Sequence, residues 1–388
     1  MSYRYPLATT TWDEHEYQAL QRIIDSGNFT MGNNVAEFER EFAKYLGRRY
    51  AVMVNSGSSA NLLMTGALFY TSCKGLRLNR GDEVIVPAVS WSTTYFPLYQ
   101  YGLSMKFVDI DMHTLNFDIE QLRKAITPKT RAIMAVNLLG NPNNFSVINE
   151  IIGDRNIILL EDNCESLGAE FAGKKTGTFG VVSSFSFFYS HHISTMEGGA
   201  VTTDDEELYQ IMLSMRAHGW TRNLPKENLI CNPKSDDSFN ESFRFVLPGY
   251  NLRPLEMSGG VGLEQIKKLP HLISARRENA ELFQRVLANH PNLLVQSEIG
   301  RSSWFGFSLV IRPESNWSRK YLLGKLEDLG FECRPIVAGN FTKNEAVKYF
   351  NSEIFGELKN ANHIDQGGVF IGNHHYPIIE AINSLGDL

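Results

Sequence analysis

Lysine is missing from the middle of this chain: none occurs from Thr176 to Pro225, although the sequence holds 37 lysines and arginines in 388 residues. Cysteine is sparse too. The four, Cys73, Cys164, Cys231 and Cys333, show no CxxC spacing, which excludes a disulfide framework and argues against zinc or an iron–sulfur cluster. A net charge of −6 gives no electrostatic reason to expect nucleic acid or an anionic membrane as partner. No run of about 18 apolar residues occurs, and the opening stretch MSYRYPLATTTWDEHEYQ has no apolar segment behind its early arginine. A cytoplasmic protein without a metal is expected.

What is present is ordinary for a globular enzyme: 43% hydrophobic and 21% charged residues. The length suggests a large domain over residues 1–250 and connecting helices with a smaller α+β domain over 251–388. Thr11 to Glu14 has the pattern of a capping box opening a helix that ends at Gly27, and Val35, Phe38, Phe42 and Leu46 share one face of a second helix. From Tyr50 to Leu160 short apolar strands alternate with helices, the pattern of a largely parallel sheet covered on both faces. Thr221 to Phe243 reads as a long surface loop, and two helices are expected over Leu255–Ile266 and Leu272–Ala288.

Ligands of such sheets sit at the carboxyl ends of the strands, where the unusual residues of this chain fall. Ser56-Gly57-Ser58 joins a strand to a helix, and there free N–H groups and hydroxyls serve either as a phosphate cradle or as a plain helix cap. Asp162 follows a buried strand and would either cap a turn or pair with a buried cation. Trp91 would be core or would stack on a flat ring. His191 and His192 stand together in SFSFFYSHHISTMEGG, and His374-His375 lack further metal ligands at suitable spacing, so the latter read as structural.

Taken in order, GSSANL, VPAVSW, EDNCESLGA, SFSFFYSHHISTMEGGAV and GYNLRPLEMSG resemble the enzymes of the aspartate-aminotransferase fold (fold type I) that act on nucleotide-linked sugars with a vitamin B6 cofactor. The resemblance spans nearly the whole chain. It implies that Gly57, Ser58 and Ser186 hold the cofactor phosphate, that Trp91 stacks on its ring and that Asp162 pairs with its pyridine nitrogen. Glu165 falls where the family usually has a glutamine near the ring hydroxyl, and Asn251 would reach the phosphate from a second subunit of a homodimer with shared sites.

The departure lies at one position. Six residues before the acidic residue of the family's GEGG-like turn stands the lysine that binds the cofactor covalently. That position is His191, preceded by Ser190, while Met196 replaces the glycine before Glu197; a one-residue gap in the match would give the place to His192, and a purely structural role is the plain alternative. An imidazole cannot make that bond but can move protons near neutral pH. With SHHISTMEGG, RAHGWTRN and RPIVAGN, this resembles the sugar 3-dehydratases of deoxysugar biosynthesis. That resemblance implies non-covalent pyridoxal or pyridoxamine 5'-phosphate regenerated by L-glutamate, and loss of the C3 hydroxyl from a nucleotide-linked 4-keto-6-deoxyhexose. Related CDP-sugar enzymes carry clustered cysteines for iron–sulfur, which favours a GDP-linked substrate here. His218, Arg222 and Arg334 are the expected substrate contacts, with helix-end and solvated roles as their plain alternatives. A sugar aminotransferase without a covalent tether and a non-catalytic nucleotide-sugar binder remain as rivals.

Overall fold

The computed structural model describes residues 3–388. Helices α1 (Glu14–Ser26) and α2 (Asn33–Leu46) come first. The capping box of α1 is Asp13 with Glu16, not Thr11 with Glu14: the Asp13 carboxylate accepts from the His15 N–H at 2.9 Å and the Glu16 carboxylate from the Asp13 N–H at 2.8 Å. Thr11 is instead buried and donates to Gln265 at 2.6 Å.

The alternating region folds as β1 (Tyr50–Val54), α3 (Gly57–Tyr70), β2 (Glu83–Pro87), α4 (Ser92–Gln100), β3 (Ser104–Val108), α5 (Ile119–Ala125), β4 (Thr130–Val136), α6 (Phe145–Ile152) and β5 (Ile158–Asp162). A two-stranded ribbon, β6 (Glu170–Phe171) and β7 (Lys174–Lys175), precedes β8 (Val182–Ser186), β9 (Gly199–Thr203) and α7 (Glu206–Arg216). The large sheet has the order β1-β9-β8-β5-β4-β2-β3 and ends in β13 (Ser352–Ile354), a strand the sequence pattern did not announce. Strand β9 runs antiparallel to both neighbours, and the other adjacent pairs are parallel.

Alternation along β1 shows why both faces are covered. Val52 and Val54 pack with Ala60, Leu63 and Met64 of α3, whereas Ala51 and Met53 pack with Phe38 and Phe42 of α2. Phe185 and Phe187 join that second face: Phe42 lies 5.1 Å from each ring centroid, both edge-on. Each buried ring stabilises the fold by roughly 1.5–3 kcal/mol through area removed from water.

The long loop holds one short helix, α8 (Ser238–Glu241). The two helices expected next are one, α9 (Glu256–Leu287), which runs through Pro270. A proline inside a helix costs about 3 kcal/mol. Burial of Leu269, Leu272 and Ile273 against the Phe38–Phe187 cluster offsets it. Beyond α9, β10 (Leu293–Val295), β11 (Gly306–Ile311), β12 (Cys333–Arg334) and β14 (Gly368–Gly372) form an antiparallel sheet of order β10-β11-β14-β12, with α10 (Arg319–Asp328), α11 (Lys359–Gly367) and α12 (Ile379–Ser384). Among the described residues no helix is long and apolar enough to cross a membrane.

Candidate active site

Parallel strands bring their carboxyl ends to one edge, and there a cavity of about 340 Å³ opens. Its lining includes Gly57, Ser58, Trp91, Asp162, Glu165, Ser186, His191 and Arg334, eight of the residues singled out in the sequence. No lysine lines it.

The floor is built from the large sheet. Ser56 caps α3 by accepting from the Ser59 N–H at 3.0 Å, which leaves Gly57 and Ser58 at the helix N-terminus facing the cavity. Gly57 must be a glycine because a Cβ there would meet Ser186 Cβ at 2.5 Å and Cys164 Sγ at 3.1 Å. A helix N-terminus flanked by two serine hydroxyls favours an anion. Asp162, at the end of β5, is buried, and its Oδ2 accepts from Asn61 Nδ2 at 2.9 Å and from Thr94 Oγ1 at 2.8 Å, its Oδ1 from the Cys164 N–H at 3.1 Å. All three donors are neutral, so they orient the carboxylate without cancelling its charge. Trp91, just before α4, is 57% exposed and forms the cavity rim.

The wall is the turn between β8 and β9. Ser184 and Ser186 face away from the phenylalanine cluster, the N–H of Phe187 donates to Gly198 O at 2.9 Å, and the N–H of Thr195 donates to Phe187 O at 2.9 Å, which closes the loop that carries the histidines. Met196 sits at φ 70°, a left-handed backbone that costs a non-glycine residue roughly 1–2 kcal/mol. Gly199 lets β9 begin against the β1–α3 turn, since a Cβ would meet Ser56 O at 2.5 Å.

His191 rests edge-on against Phe305 at 5.1 Å and Phe188 at 6.0 Å, and its Nδ1 is buried without a partner. Burial holds its pKa far below the usual histidine value, helped by the positive charges of Arg334 and Arg276, so the ring is a neutral base. Glu165 accepts from the Leu139 N–H at 3.1 Å, and burial pushes its carboxyl up against the opposing charge of Arg334. Arg334, on β12, lies with its guanidinium carbon 4.3 Å from the Phe370 centroid and has a buried Nε without a partner.

Three expected residues lie elsewhere. His218, Arg222 and Asn251 do not line the cavity; the first two pack on Trp220, whose ring is 5.0 Å from that of His218 and 4.5 Å from the guanidinium carbon of Arg222. Asn251 accepts from Arg253 Nε at 3.0 Å. The sequence reading gave no role to Asn61, although it stands inside the quoted GSSANL, nor to Thr94, three residues beyond VPAVSW, nor to Phe305 and Arg276, which carry no local signal. His374 is buried, with its Nε2 3.0 Å from Pro6 O, and ties the N-terminal segment to the end of β14.

This fold and site place the chain in the DegT/DnrJ/EryC1/StrS aminotransferase family, whose sequence pattern matches residues 10–380, and give it the fold type I architecture. The chain is 60% identical over 385 residues, 99% of each chain, to the GDP-4-keto-6-deoxy-D-mannose 3-dehydratase of Escherichia coli O55:H7. Its backbone matches the solved E. coli GDP-4-keto-6-deoxy-D-mannose-3-dehydratase with bound hydrated PLP at a TM-score of 0.98 and 59% identity, covering 100% of this chain and 99% of that one. A GDP-4-keto-6-deoxymannose-3-dehydratase structure with a trapped PLP-glutamate geminal diamine matches at 0.97 and 59%, covering 99% of both.

Proposed function

We propose that this chain is a vitamin B6-dependent dehydratase that removes the C3 hydroxyl of GDP-4-keto-6-deoxy-D-mannose, with L-glutamate as amino donor, releasing the 3-deoxy-4-keto sugar, ammonia and 2-oxoglutarate. The observation that carries the reading is a neutral, unpartnered His191 in a cavity with no lysine. The residues fit the cofactor on three counts. Asp162 is a buried carboxylate with only neutral donors, Gly57 and Ser186 shape a small anion cradle, and Trp91 offers an exposed ring face.

Bound there as pyridoxamine 5'-phosphate, the cofactor supplies an amine for the C4 ketone and a ring that accepts electrons. Asp162 holds the proton of the ring nitrogen, and Gly57, Ser58 and Ser186 hold the phosphate. His191 takes the proton at carbon through its free nitrogen, which drives departure of the hydroxyl. Glu165 faces the ring hydroxyl, and Arg334 binds a carboxylate or diphosphate oxygen.

Asn251, His218 and Arg222 are assigned to the site of a second subunit: they lie outside this chain's own cavity, and Trp220, on which His218 and Arg222 pack, also meets the exposed Phe243 and Phe245. Mixing a His191→Asn chain with a His218→Ala chain should restore part of the lost activity in a homodimer with shared sites; no restoration contradicts the sharing. The reaction is tested by product analysis with GDP- and CDP-linked 4-keto-6-deoxy sugars in parallel. The 3-deoxy sugar with ammonia is expected from the GDP substrate, and accumulation of an amino sugar would favour an aminotransferase.

A further inference from the structure

The ring of His191 leans on Phe305, which lies just before β11 and more than a hundred positions later in the chain, so the base is only as well placed as the segment that carries Phe305. Side chains hold one edge of the segment from Ser302 to Phe305 and backbone carbonyls the other. Four successive carbonyls are each taken: Ser302 O by Arg277 Nε at 2.8 Å, Ser303 O by His192 Nε2 at 3.1 Å, Trp304 O by Asn373 Nδ2 at 2.9 Å and Phe305 O by Arg276 Nη1 at 3.0 Å. On the other side, the N–H groups of Ser303 and Phe305 donate to Gly140 O and Leu139 O, both at 3.0 Å, and the N–H of Leu139 reaches Glu165. Trp304 is held at φ 49° between these clamps, a conformation that persists only where the surroundings over-determine it.

Of the four clamps, His192 alone comes from the turn that carries the base. A carbonyl can only accept, so Nε2 bears the hydrogen. Burial first, and then the charge of Arg276, hold the ring neutral, and Nδ1 is left without hydrogen or partner. The ring is 99% buried and faces Phe305 at 5.8 Å, on the same aromatic that supports His191.

We propose that His192 is a positioning residue for the reaction: its Nε2–H locks the histidine turn to the Ser303 carbonyl and thereby fixes the distance between His191 and Phe305. The plain alternative is a core histidine that contributes stability and nothing to turnover. The proposal rests on His191 being the base, and the two fail differently. If His191→Asn keeps turnover, the base assignment is wrong; if His191→Asn is dead while His192→Phe matches wild type, only the positioning role is wrong.

The test uses the full chain loaded with pyridoxal 5'-phosphate, glutamate and the GDP-linked keto sugar. His192→Phe keeps an aromatic ring and removes the donor, whereas His192→Gln keeps an N–H at similar reach. His192→Phe should lower kcat about tenfold to a hundredfold, the cost of a small misplacement of a reacting group, with KM for the nucleotide sugar little changed. His192→Gln should recover most of the loss. A kcat for His192→Phe equal to wild type, with only a lowered Tm, overturns the proposal, as does a His192→Gln variant no faster than His192→Phe. A second measurement needs no variant: nitrogen-15 histidine spectra of the apoprotein should show an Nε2–H of His192 that exchanges slowly with solvent, and its absence overturns the lock.

Discussion

The floor and the wall of the cavity are built on opposite terms. On the floor both oxygens of Asp162 are engaged, by Asn61, Thr94 and the Cys164 N–H, and Gly57 fits against Ser186 without room for a methyl group. On the wall, His191 Nδ1 and Arg334 Nε are buried with no partner. His192 Nδ1 on the same turn is likewise buried without a partner, and a polar group left unsatisfied in the interior costs on the order of 1–3 kcal/mol, so this side of the cavity gives up stability that the floor keeps.

That contrast can be broken most sharply at the wall. His191→Asn should reduce kcat by about 10²–10⁴-fold, the range for removal of a general base, while spectroscopic titration still shows cofactor binding. Loss of binding with turnover would assign His191 to the floor. Next in size is Asp162→Ala, which leaves the Asn61 amide donor buried without its acceptor, while the Thr94 hydroxyl can turn to Ser90 Oγ at 2.8 Å. Destabilisation of about 1–3 kcal/mol in denaturant titration is expected, with cofactor affinity falling as well. Gly57→Ala forces a Cβ to within 2.5 Å of Ser186 Cβ and should cost about 1–3 kcal/mol by overpacking, read as a lower Tm of the apoprotein.

The smallest effect is a shift in pH dependence. Because burial and the charges of Arg334 and Arg276 favour the neutral ring of His191, protonation requires a pH below the ordinary histidine value of 6.5, and the acid limb of kcat/KM should lie below it. Removing one cation relieves part of that bias, so Arg334→Met should move the limb to higher pH. A limb at or above 6.5 in wild type would contradict the assignment.

Most of the floor was legible in the chain because its signals are local. Ser56-Gly57-Ser58 sits between an apolar strand and a helix, and Asp162 ends an apolar strand, so period and turn chemistry place both. His191 was found through a resemblance and a count, since neither burial nor pairing of an imidazole leaves a local trace. Phe305 and Arg276 were not found, because their approach depends on how the small sheet and α9 meet the histidine turn, which no nearby residue encodes. The box at Asp13 was misplaced by two positions because Thr11 suits a cap equally well until Gln265 claims its hydroxyl. The helices expected over Leu255–Ile266 and Leu272–Ala288 are one because burial of Leu269, Leu272 and Ile273 carries α9 through Pro270. Strand β13 is three residues long and mostly exposed, and it carries too little pattern to be read.

The central claim is that the floor keeps the cofactor without a covalent bond while the wall moves the proton. Borohydride reduction of the pyridoxal-phosphate-loaded protein, followed by peptide mapping, tests it most directly. The account predicts no labelled lysine and full release of the reduced cofactor on denaturation; one lysine labelled in stoichiometric yield would contradict it.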